Sequence, residues 1–162
     1  MLITAASHSA AFKVDRLLNS TLVYLGEQLG MPVIPGRKFI RLPDTKSPSY
    51  ISEMLNLCLN NQISTIFPLK LSEILELSGA RQLFKEYGIS IIIPSDSHIQ
   101  ALLNQKTLIG SELLILSEGE IIAGIVPTGF EAPKDEQSGI FSWTLEDGSL
   151  RYHLFSVDYV EI

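Results

Sequence analysis

An α/β fold is predicted by this sequence: a doubly wound, mostly parallel five-stranded sheet in the order 3-2-1-4-5, followed by an antiparallel β-hairpin extension. Three observations predict it. Up to residue 103, short apolar or β-branched runs alternate with segments of helical spacing. Residues 89–93 form an apolar run without alternation, as expected where both faces of a parallel sheet are covered. Beyond residue 110 the pattern changes to paired short strands around Glu118-Gly119 and Asp147-Gly148.

Leu2-Ile3-Thr4-Ala5 is the first strand, and Ala11, Val14, Leu17 and Leu18 then fall at helical spacing, so a βα unit opens the chain. A second strand is expected at 21–25. After the Gly- and Pro-rich stretch 26–36, a shorter one is expected at 38–42. Ser47 and Pro48 supply an N-cap and a first-turn proline for a helix whose Ile51, Met54, Leu55, Cys58 and Leu59 share one face. A β-branched run at 63–67 ends at Pro68. Leu71, Ile74, Leu75, Leu83 and Phe84 mark the next helical segment, with Gly79 as an interruption and Gly88 as its C-terminal cap. After the strand at 89–93, Ser95 caps a last helix carrying Ile99, Leu102 and Leu103. Right-handed crossovers place the strands beginning near residues 1, 21, 38, 63 and 89 in the order 3-2-1-4-5.

The arms at 112–117 and 120–126 are too apolar to leave a face in water and are expected to form a buried hairpin. The arms at 141–146 and 149–157 flank Asp147-Gly148, a two-residue turn signal that places Leu145 opposite Leu150, Trp143 opposite Tyr152 and Phe141 opposite Leu154. All the large apolar residues of that hairpin then share one face, and His153 falls on the other, exposed or partly packed. Residues 131–139 read as a polar loop. The expected organisation is a Rossmann-like domain at 1–110 with an acidic extension at 111–162 packed on it.

With 162 residues, the chain is long enough to bury about 70% of its unfolded surface. A hydrophobic fraction of 46% and a charged fraction of 19% are those of an ordinary soluble protein, and no apolar run is long enough to span a bilayer. The chain enters a strand pattern directly at Met1-Leu2-Ile3-Thr4, without a signal-peptide pattern, so the cytoplasm is the expected compartment. Cys58 is the single cysteine; it has no partner for an internal disulfide and no zinc-ligand spacing, and its apolar helix face predicts a buried, inert thiol. The net charge of −6 disfavours nucleic acid. Its distribution is uneven: residues 1–110 carry +2 and residues 111–162 carry −8.

Ligands of an open α/β sheet sit beyond the carboxyl ends of the strands where the order reverses, here between the first and fourth strands. Two loops meet there. Ala5-Ala6-Ser7-His8-Ser9 lies at a helix N-terminus, where backbone N–H groups and hydroxyls can hold an anion. It contains no glycine, which disfavours a dinucleotide pyrophosphate. The alternative is that Ser7 or Ser9 caps the helix and His8 is solvated. In the second loop, Lys70 can balance an anion and Glu73 can bind an amine, unless Ser72 is an N-cap and Glu73 only complements the helix dipole. Ser7, His8, Ser9, Lys70 and Glu73 are therefore the candidate ligand-binding residues. A third cluster, Ser95-Asp96-Ser97-His98, has the composition for acid–base work but reads as a cap. Arg37, Lys38, Arg41 and Lys46 read as a solvated strand edge, with phosphate binding or docking to an acidic surface as the alternative. No catalytic residue and no metal ligand set emerges from these patterns.

Several short segments in order carry a resemblance: Ile3-Thr4-Ala5 leading into Phe12-Lys13-Val14, Tyr50-Ile51 with Leu55 and Cys58, Ile66-Phe67-Pro68 followed by Glu73, Arg81 with Leu83 and Phe84, Gly88-Ile89, and Gln105-Lys106. From Leu2 through Lys106 the chain resembles the N-terminal, pre-ATP-grasp domain of carbamoyl-phosphate-synthase-like ATP-grasp ligases. In that family a separate ATP-grasp module supplies the magnesium carboxylates and most nucleotide contacts, and nothing here matches that module. The resemblance implies that Lys106 stands where a lysine often reaches ATP phosphates. It further implies a stand-alone binding or interaction module without ligase activity of its own. Two alternatives are a subunit that completes a split carboxylate–amine ligase, and a small-molecule-binding enzyme or sensor using the cleft between the first and fourth strands. No cofactor is expected for the isolated chain, with ATP and magnesium entering only through a paired ATP-grasp subunit. Expected partners are a second copy or such a subunit, engaged through residues 111–162, and a small anionic or amino-acid-like ligand.

Overall fold

The structure, a computed structural model, describes residues 1–103, 112–131 and 137–158. Lys106, residues 132–136 of the polar loop and the side chains of Leu102 and Leu103 lie outside the described residues. The first half alternates as expected: β1 (Leu2–Ile3), α1 (Ser9–Leu18), β2 (Tyr24–Glu27), β3 (Lys38–Arg41), α2 (Tyr50–Asn60), β4 (Thr65–Phe67), α3 (Leu71–Ser78), α4 (Arg81–Glu86), β5 (Ser90–Ile91) and α5 (Asp96–Leu103). All five strands run parallel in the order β3-β2-β1-β4-β5. The second half contributes β6 (Glu112–Ser117), β7 (Glu120–Gly124), β8 (Gly139–Glu146) and β9 (Ser149–Leu154), which form one antiparallel sheet in the order β7-β6-β8-β9.

The period-two geometry of the parallel strands divides the interior into two clusters. Leu2 and Ile66 face one side, where Met54 and Cys58 of α2, Ile74 and Leu77 of α3 and Phe84 of α4 bury them. Ile3 and Phe67 face the other, where Ala11 and Val14 of α1 meet them. Leu113 and Ile115 of β6 and Ile140 of β8 complete that second cluster beside Leu69 and Ile92. Leu114, Leu116, Phe141 and Leu154 point the opposite way and join the cluster containing Ile99 of α5. Thus β6 is covered on both faces.

Several elements differ from the sequence expectation. β2 begins at Tyr24 rather than residue 21, because the parallel pairing of Leu2 with Tyr24 and Ile3 with Leu25 buries Leu25 and leaves Leu22 in solvent. Ser47 closes a turn, with the Tyr50 N–H donating to its carbonyl at 3.0 Å, and Ser49 occupies the N-cap position of α2 without a side-chain capping bond. Gly79 does separate two helices. Gly88 ends the second with φ +72°, the Ile89 N–H reaching Phe84 O at 2.9 Å and the Gly88 N–H reaching Lys85 O at 3.0 Å, the paired bonds of a Schellman cap.

In the second sheet, the β8–β9 register is the expected one: Phe141 opposite Leu154, Trp143 opposite Tyr152 and Leu145 opposite Leu150. Leu145, at the open end beside the turn, is exposed. His153 is buried rather than exposed, because its face of the hairpin turns toward the first sheet with Ser142 and Ile140. The first hairpin is not buried as a unit. β6 is, but β7 lies at the sheet edge with Ile121 and Ile122 exposed, since β8 takes the position on the other side of β6. β7 ends at Gly124, whose φ is +110° and where a Cβ would fall 2.2 Å from Leu113 O.

Candidate functional site

Strand order brings the carboxyl ends of β2, β1 and β4 side by side, and the chain leaving each carries one polar residue into the junction. Thr4, directly after β1, donates its backbone N–H to Phe67 O at 3.2 Å. Its hydroxyl accepts the Leu69 N–H at 2.8 Å and donates to Glu73 Oε2. Ala5 then takes φ +55°, a conformation uncommon outside glycine, and turns the loop toward α1.

In that loop Ser7 does not cap the helix. Its hydroxyl donates to Glu27 Oε2 at 2.6 Å and its backbone N–H to the same oxygen at 3.2 Å. His8 is the N-cap instead: its Nδ1 accepts the Ala10 N–H at 3.2 Å. Ser9 is the first helical residue and is exposed.

Glu27, the last residue of β2, joins the two predicted loops, and sequence reasoning missed it. Its Oε1 accepts the Gln28 N–H at 2.9 Å and pairs with Lys70 Nζ at 2.7 Å. Burial opposes its ionisation, but the bonds from Lys70, Ser7 and the Gln28 backbone outweigh burial and hold the carboxyl down at about 2. The order of the strands was the available signal. Once β2 lies beside β1, a glutamate ending an apolar strand falls at the mouth of the first loop.

Lys70 is the N-cap of α3, two residues before the serine expected to cap it. Glu73 occupies the third helical position and accepts the Lys70 backbone N–H, half of a capping box. Burial raises its carboxyl to about 7, with the Thr4 bond and Lys70 acting in the opposite direction. The tail provides the other half of the cap. Asp158 Oδ1 accepts the Leu71 N–H at 2.6 Å, and the Val157 N–H donates to Leu69 O at 2.8 Å.

The geometry thus brings Ser7, Lys70 and Glu73 together through Glu27 and Thr4, and leaves His8 and Ser9 in the start of α1. The Lys70 ammonium is balanced by Glu27, and a carboxylate from the chain itself stands at the N-terminus of α3. Such a site is closed to a free anion unless the tail is displaced; its remaining titratable group is Glu73.

The other sequence candidates fall elsewhere. Ser95 meets His98 Nδ1 at 2.8 Å ahead of α5, and Asp96 contacts Arg81 at 3.3 Å. Arg37 pairs with the buried Asp15, while Lys38 lies 5.6 Å above the Tyr24 ring, so the basic residues near β3 are divided between different partners. Cys58 is fully buried, and burial pushes its thiol up to about 12. Among the described residues no group of three or more His, Cys, Asp or Glu side chains is placed to hold a metal, and no helix is long and apolar enough to cross a membrane. No protein-family model matches the chain, and no curated protein is similar enough to count as a match.

Proposed function

We propose that this chain is an interaction module of the pre-ATP-grasp type, without ligase activity of its own, which assembles through its C-terminal sheet. The observation that carries this reading is the position of residues 157 and 158. They are bonded across Leu69 and Leu71 at the carboxyl end of β4, where a ligand of an open α/β sheet would bind. A cleft filled by its own chain favours contact with another protein over turnover of a small molecule.

The edge of the second sheet supports the same reading. β7 exposes Ile121 and Ile122 on an edge strand that contains none of the lysines or prolines that commonly block edge pairing, and Ile125 and Val126 are exposed just after it. The partner in this proposal is a second copy joined edge to edge. Sedimentation of the wild-type chain should give a dimer, and Ile122→Lys should give a monomer with an unchanged circular dichroism spectrum. A monomeric wild type at micromolar concentration rejects self-assembly. ATP hydrolysis by the purified chain above the buffer rate would reject the non-catalytic part of the proposal.

A further inference from the structure

A second cleft, of about 260 Å³, lies at the β5 edge of the first sheet and shares no residue with the Ser7–Lys70 junction. Its floor is the outer edge of β5. Arg81 and Lys85 of α4 form one wall, and Glu118, Gln137 and Ser138 from the turns of the second sheet form the other. The volume is at the small end for a ligand pocket.

The floor is a two-residue strand edge on which the Ile91 carbonyl already accepts the Ile93 N–H at 3.1 Å, so its open group is an N–H. Ser90 and Ile92 donate their N–H groups inward, to Ser64 O and Ile66 O at 2.9 Å each. The intervening Ile91 N–H therefore points outward, into the cleft, by the alternation of a parallel ladder. The second-sheet wall is fixed across from it: the Glu118 N–H bonds Ser138 Oγ at 2.8 Å and the Gly119 N–H bonds Gln137 O at 2.8 Å.

The charge on the α4 wall has a spacing that matches an extended chain. Arg81 and Lys85 are four residues apart on one helix, a rise of about 6 Å. Alternate side chains of a β-strand lie about 6.7 Å apart on one face. Arg81 is oriented along the rim by its bond to Pro94 O at 2.6 Å, and its contact with the exposed Asp96 is long, at 3.3 Å, and readily exchanged. Lys85 is exposed. Glu118 opposes them, so an acidic side chain is accepted only on the α4 side.

We propose that this cleft binds an extended acidic peptide by strand addition to β5. The peptide backbone pairs with the Ile91 N–H, and two carboxylates at alternate positions meet Arg81 and Lys85. This goes beyond the reading given above and is independent of it, because it concerns a different edge of a different sheet.

The test is fluorescence anisotropy of the full chain with a labelled, N-acetylated, C-amidated Val-Glu-Val-Glu-Val peptide and its Gln counterpart. Saturable binding of the Glu peptide is expected, weakened by about tenfold or more both in the Gln peptide and in Lys85→Glu. Lys46→Glu makes the same charge change in the loop after β3, at the opposite edge of the sheet, and should leave affinity within about twofold. Hydrogen exchange of the Ile91 amide should slow in the complex. Lack of saturation at about millimolar peptide, equal binding of the Gln peptide, an equal loss in Lys46→Glu, or an unprotected Ile91 amide would each overturn the proposal.

Discussion

Glu27 and Glu73 both touch Lys70, one through the ammonium group and the other through the backbone N–H, yet they titrate in opposite directions. Glu73 keeps its proton up to about 7 when folded, against 4.5 for the ordinary group. The folded state therefore binds the extra proton between these values. The stability that this group contributes is complete below 4.5 and is lost as pH rises through 7. Glu73→Gln stays neutral, so urea unfolding should show the variant gaining on wild type by about 3 kcal/mol between pH 5 and pH 8. Parallel stability curves would reject the assignment. Glu27 behaves inversely: its contribution is present above 4.5 and is lost as pH falls toward 2. Thr4 is the link to Glu73. Thr4→Val removes the acceptor for the Leu69 N–H and the donor to Glu73 together, at an expected cost of about 2 kcal/mol in the same unfolding measurement.

Two glycines of the second sheet make the energetics of its elements separable. Gly148 takes φ +75° with nothing within 4 Å of a Cβ, so Gly148→Ala should cost only the conformational strain of about 1 kcal/mol. Gly124 combines φ +110° with a Cβ position 2.2 Å from Leu113 O, so Gly124→Ala must also break the β6–β7 pairing. A loss of about 3 kcal/mol is expected there, and thermal unfolding of the two variants side by side checks the difference. The β8–β9 hairpin was legible in the sequence because its determinants are local: alternating apolar residues and a two-residue turn in which Asp147 and Gly148 both have positive φ. Pairing of β6 with β8 was not, because it joins Glu112–Ser117 to a strand beginning at Gly139 and no local signal specifies a partner that distant. The site follows the same rule. The loops containing Ser7 and Lys70 could be placed from strand order, whereas the cap of α3 by Asp158 spans 87 residues and leaves no local trace.

The first sheet is covered on one face by α2, α3 and α4, but on the other α1 is joined by a second sheet. Phe67, Leu69 and Ile92 are buried together with Leu113, Ile115 and Ile140, so the two segments share a core. A fragment ending at residue 110 should expose that apolar face and lose cooperative unfolding, as read by circular dichroism against temperature. A sharp transition near the full-length Tm would show that residues 1–110 are complete without the second sheet. The parallel topology itself was predictable, since strands separated by helices of this length admit few arrangements.

The bond between Leu71 and Asp158 also bears on biogenesis. During synthesis, the strands of the first sheet emerge well before the segment that closes over β4, and non-local pairing of this kind is slow to form. Phe67, Leu69 and Ile92 would wait uncovered on the nascent chain until β6 and β8 have left the ribosome. Docking of residues 157 and 158 is expected to follow formation of both sheets, and pulsed hydrogen exchange during refolding should show the Leu71 amide protected after those of β1 and β4.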